Sequence, residues 1–72
     1  MKSAKELIDP ELAAQLKETR EKKGLTQEEV ADKAGLTVTF YAMMERGEVN
    51  PSVAKLNNVL KVLGLKILVK KA

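Results

Sequence analysis

Four glycines, at positions 24, 35, 47 and 64, each close a short run of apolar residues at helical spacing, and capping residues precede these runs. A chain punctuated this way builds its core from several brief helices joined by tight turns. Asp9-Pro10 opens the first helix, because Asp caps well and Pro suits the first helical position, where its missing N–H has no helical partner anyway. Leu12, Ala13, Leu16 and Thr19 then recur at spacings of three and four, with Lys22 and Lys23 at the favourable end of the helix dipole. Thr26 and Glu29 have the spacing of a capping box, and Val30, Ala31 and Ala34 form the inner side of the brief second helix. Gly35 occupies the turn, where a positive φ is expected.

The chain restarts at once with Leu36-Thr37, in which Thr37 can cap and Leu36 stands at staple distance from Tyr41. Tyr41 and Met44 continue the inward stripe of this third helix. In Asn50-Pro51-Ser52, either Pro51 begins the fourth helix or Ser52 caps it, and Val53, Leu56, Leu60 and Leu63 supply its apolar stripe. Leu65 to Lys71 is partly β-branched and loosely alternating, so a short strand is predicted over 66–71. A lone strand leaves backbone groups unpaired on both sides. Pairing with the same segment of a second chain, giving a homodimer, is the economical solution. A frayed tail, or a segment packed on the helices, is the rival.

With 72 residues the chain forms one domain, 1–72, with 1–9 as an N-terminal extension. A domain of this size buries only about 60% of the surface its unfolded chain exposes. The sequence has no Cys and no His, so no disulfide is possible, and the usual metal ligands and the usual general base are missing. No glycine-rich phosphate loop or nucleophile-elbow motif is present either. An enzyme is not expected, and neither a metal nor any cofactor. The N-terminus has no apolar core of a signal peptide, and no apolar run approaches the roughly 18 residues that span a bilayer. A cytoplasmic protein without a membrane partner is the expectation. The net charge of +3 is uneven. Residues 25–50 carry Lys33 and Arg46 against Glu28, Glu29, Asp32, Glu45 and Glu48, whereas 51–72 carry five lysines and no acid. Such a tail attracts polyanions, or simply keeps a surface soluble and an edge strand protected.

Two short helices joined by a tight Gly-containing turn, here Gln27 to Arg46, are the helix-turn-helix signature. Ala31 lies where the helices cross, and a larger side chain there would push them apart. Gly24-Leu25-Thr26-Gln27, Val30-Ala31, Gly35-Leu36-Thr37, Glu45-Arg46-Gly47, Asn50-Pro51-Ser52, Leu56 and Leu63-Gly64-Leu65 occur in order and at matching spacing. Through these pieces the chain resembles, over roughly residues 12–65, the phage-repressor-like DNA-binding family, also called the Cro/repressor or xenobiotic-response-element family. Asp9-Pro10 and the closing strand-like segment are similar to a narrower subset, the small antitoxins of two-gene toxin–antitoxin modules.

The resemblance implies an all-α, lambda-repressor-like bundle of four to five short helices. It implies a sequence-specific transcriptional regulator, a repressor, that inserts helix 37–46 into the major groove of double-stranded DNA. Gln27 would contact a phosphate and brace the recognition helix. Thr37 would present its hydroxyl and N–H to phosphate at a helix N-terminus. Val38, Thr39, Phe40 and Met43 would face base edges, and Arg46 would contact phosphate. Arg20 and Glu45 would form a structural ion pair. The base-facing set departs from the family's habit, since Thr39 is its only polar member. Apolar side chains can touch a thymine methyl group but cannot hydrogen-bond to guanine. Three explanations stand: methyl contacts with DNA shape, affinity supplied by the lysine-rich tail, or an apolar surface that binds protein. The last would make the chain an antitoxin or protein-interaction module with a toxin as partner.

Overall fold

The computed structural model describes residues 7–65. Four helices follow one another: α1 (Pro10–Lys22), α2 (Gln27–Ala34), α3 (Val38–Glu45) and α4 (Val53–Leu63). Each starts on the side-chain cap available to it. Asp9 accepts from Leu12 N–H at 3.0 Å, and Thr37 from Phe40 N–H at 3.1 Å. In the capping box Thr26 accepts from Glu29 N–H at 3.0 Å while the Glu29 carboxylate accepts from Thr26 N–H at 2.8 Å. Ser52 accepts from Lys55 N–H at 3.1 Å, so Ser52 is the cap of α4 and Pro51 stands outside the helix. The helix ends are equally regular. At each of the four glycines the glycine N–H and the N–H after it turn back onto the helix, as in Gly35 to Asp32 O at 3.2 Å and Leu36 to Ala31 O at 2.8 Å. These paired bonds satisfy carbonyls that a helix end would otherwise leave open.

α2 packs against α3 and α4, and α1 packs against the same two helices. The core between them contains Ala13 and Leu16 of α1, Val30, Ala31 and Ala34 of α2, Tyr41 and Met44 of α3, and Val59, Leu60 and Leu63 of α4. Of the staple pair, Tyr41 lies in this core and Leu36, partly buried, packs against it. Asn58 donates to Ala34 O at 3.3 Å and so ties α4 to the C-terminal end of α2.

Three expectations change. Val53 is 75% exposed and does not join the α4 stripe, whereas Val59 is fully buried. The inward positions are therefore 56, 59, 60 and 63, still one helical face, and the first turn of α4 projects past the core. Ile8 is buried and its N–H donates to Val49 O at 2.9 Å, so the end of the segment read as an extension is part of the packed body. The third helix is shorter than 37–46, because Thr37 and Arg46 are its caps. The strand predicted over 66–71 lies outside the described residues. Among the described residues no helix is long and apolar enough to cross a membrane, and no group of acids is spaced to hold a metal ion.

Candidate nucleic-acid interface

The turn between α2 and α3 is the feature that aims α3. Gly35 has φ 76°, in the left-handed region, and a Cβ placed there would meet nothing within 4 Å. The restriction is one of backbone conformation and not of space: an L side chain costs about 1–2 kcal/mol in this region. The chain reverses at Gly35, and Thr37 caps α3 two residues later.

α3 divides into two sides. Tyr41, Met44 and Glu45 face inward and are buried. Thr37, Val38 and Thr39 are exposed, with Val38 at 38%. Phe40 and Met43, read from the sequence as exposed, are half-buried. Phe40 packs against the core at the flank of the helix, because it is adjacent to Tyr41 and one turn before Met44. Across its ring stands the ammonium of Lys55 from α4, 5.0 Å from the centroid. The outer side of α3 is thus open to solvent, with Thr39 its polar member and Val38 its exposed apolar one.

The inner side is held by a charged cluster. The Arg20 guanidinium, from α1, donates through Nε to Glu45 Oε2 at 2.7 Å and through Nη2 to Oε1 at 3.1 Å. Its Nη1 donates to Leu25 O at 2.8 Å, just ahead of α2. Gln27, the first residue of α2, donates to Glu45 Oε1 at 2.9 Å. One buried carboxylate therefore fixes α3 to both α1 and α2. An amide nitrogen carries two N–H groups, so Gln27 has a second donor beyond this bond. Burial alone would raise the Glu45 carboxyl, but the Arg20 hydrogen bonds, the nearby Tyr41 hydroxyl, the Gln27 amide and the Arg20 charge outweigh it and hold it below its ordinary value. Burial, with Glu45 second, pushes the Tyr41 hydroxyl well above the usual phenol range. That hydroxyl makes no hydrogen bond among the described residues, although the carboxylate is close enough to act on it.

Arg46, just past α3, is exposed and pairs with Glu48 at 3.1 Å. The structure thus brings Thr37, Val38 and Thr39 together on one open side, places Phe40 and Met43 at its margin, puts Arg46 at its end, and turns Gln27 toward the Arg20–Glu45 pair. Sequence reasoning did not reach Lys55, whose link to Phe40 spans two helices and has no local signal. Tyr41 is buried as its place on the inward stripe predicts, but the closeness of its hydroxyl to Glu45 has no local signal.

Residues 16–69 match the helix-turn-helix family. The chain is 36% identical over 52 residues to the HTH-type transcriptional regulator PuuR of Escherichia coli, an alignment covering 72% of this chain and 28% of that protein. It is 41% identical over 46 residues to y4dJ of Sinorhizobium fredii, an uncharacterized HTH-type transcriptional regulator, covering 64% of this chain and 60% of that one. The chain thus spans less than two thirds of the length of these relatives. Among solved structures, the restriction-modification controller protein C.AhdI from Aeromonas hydrophila superposes with a TM-score of 0.75 at 30% identity, covering 79% of this chain and 86% of that one.

Proposed function

This chain belongs to the helix-turn-helix family of phage-repressor type, and on that premise we propose that it is a sequence-specific regulator of transcription that binds double-stranded DNA through the outer side of α3. The observation that carries the reading is the division of α3: one side pinned by Glu45 to two other helices, the other side open. A helix held rigidly on its inner side and free on its outer side can enter a major groove without losing its support. Thr39 and Met43 read base edges, with Val38 at thymine methyl groups. Thr37 and the second N–H of Gln27 hold phosphate, as does Arg46 once it leaves Glu48.

The regulator acts as a repressor and a homodimer, whose two α3 helices stand about 34 Å apart to meet successive major-groove faces. The segment 66–71 is the pairing element, and sedimentation of the chain with and without residues 66–72 tests it: an unchanged profile rules it out. A second reading is supported by the exposed Val38 beside Phe40 and Met43. In it the same side of α3 binds a partner protein, such as a toxin, alone or in addition to DNA.

Selection from a random duplex pool, followed by titration across salt, separates the readings. The DNA reading expects an enriched motif and an affinity that falls steeply with salt. No enriched motif and no salt-dependent binding would leave the protein-partner reading in its place.

A further inference from the structure

Lys55 stands in the first turn of α4 and its ammonium lies over the Phe40 ring of α3 at 5.0 Å. This is inside the roughly 6 Å over which an aromatic face attracts a cation. Phe40 is half-buried against the core and Lys55 is exposed, so the ring is the fixed partner and the lysine the one that is held. Among the described residues no carboxylate pairs with Lys55, whereas Arg46 at the far end of α3 is taken by Glu48. The first turns of α3 and α4 contain no acid. An uncompensated cation is therefore kept against the flank of α3.

The major groove is about 12 Å wide, and a helix with its side chains measures about 10–12 Å across. A helix in the groove fills it, and a charge held at that helix's flank falls level with the groove wall, where the phosphates are. We propose that Lys55 contacts a backbone phosphate and that Phe40 is a positioning residue that holds the ammonium for it, instead of reading a base edge. The proposal rests on the DNA-binding reading above. It adds a contact from outside the helix-turn-helix segment and accounts for an aromatic ring at a margin where the sequence expects a base reader.

The test titrates the full chain with the selected duplex, and with a mixed-sequence duplex of about two helical turns, between about 50 and 200 mM salt. Lys55→Gln should weaken binding to both duplexes and lower the slope of log K against log salt by about 0.9, the share of one phosphate. Phe40→Leu should weaken binding about two- to five-fold in the parent chain, and have no further effect on affinity when Lys55 is already Gln. Phe40→Tyr should retain full binding. Proton NMR of the free protein reads the geometry without DNA: ring current should shift the Lys55 ε-protons upfield in the parent and Phe40→Tyr chains but not in Phe40→Leu. An unchanged salt slope in Lys55→Gln, measured against a parent that binds, overturns the phosphate contact alone. An equal cost of Phe40→Leu in both backgrounds overturns the positioning role. A parent chain that shows no salt-dependent binding overturns the DNA reading and this proposal with it.

Discussion

Replacing Glu45 with Ala should remove a large share of the domain's stability. The Glu45 side chain is 2% exposed and that of Arg20 11%, and the carboxylate accepts from two guanidinium nitrogens and from Gln27. Removing it leaves a guanidinium mostly out of water, with Leu25 O and the more distant, exposed Glu21 as its partners among the described residues. Breaking a buried pair from one side costs about 3–5 kcal/mol. At the usual 0.05–0.15 kcal/mol per residue, a chain of this length has about 4–11 kcal/mol in all. The melting temperature should fall by about 12 °C or more, since 1 kcal/mol shifts a domain of this size by about 4–8 °C. Removing both charges is a different perturbation. Arg20→Met with Glu45→Leu should be far milder than either single change, because no uncompensated charge is left. Circular-dichroism melts of the parent, Arg20→Met, Glu45→Leu and the double variant form the cycle. Single losses that simply add in the double variant would refute the coupling of Arg20 and Glu45. The same cluster sets an acid limit. Glu45 is held below its ordinary pKa in the fold, so it favours folding above the unfolded value, and that contribution is lost as pH falls through the lowered native value. The parent should lose stability below about pH 4 more steeply than the double variant.

Other outcomes follow from single positions. Gly35→Ala should cost about 1–2 kcal/mol in urea unfolding, from the positive φ alone since the space is open, and Gly35→Asn less. A loss as large as that of a core truncation would mean that packing restricts this turn. Ala31→Leu, at a residue 2% exposed between helices, should cost about 1–3 kcal/mol by the same measurement. Glu48→Gln frees Arg46 from an ion pair at 3.1 Å and should tighten DNA binding about two- to five-fold at low salt, the effect shrinking as salt rises. Weaker binding by that variant would mean that Glu48 orders Arg46 for contact.

The helix limits and the turn were legible because their determinants are local. Asp9, Thr26, Thr37 and Ser52 each accept from an N–H three residues on, and each glycine closes the helix just before it. The Arg20–Glu45 pair joins residues 25 apart and was accessible only through family resemblance, which no periodicity supplies. Val53 was misplaced because a stripe drawn from one end of a helix ignores where the core stops. Val59 had a usable signal, three residues after Leu56 and four before Leu63. Phe40 and Met43 could not be ranked as exposed or half-buried from spacing, because an eight-residue helix has flanks as wide as its faces. What Ile8 and Lys55 touch depends on how separate segments meet, so neither contact has a sequence signal near it.

Amide chemical-shift mapping of the isotope-labelled chain, titrated with its selected duplex, is the most direct check that the open side of α3 meets DNA. The largest changes should fall on Thr37 to Met43, with Gln27, Arg46 and the start of α4 next, while the buried side of α1 stays still. Changes centred elsewhere, with α3 unmoved, would contradict the account.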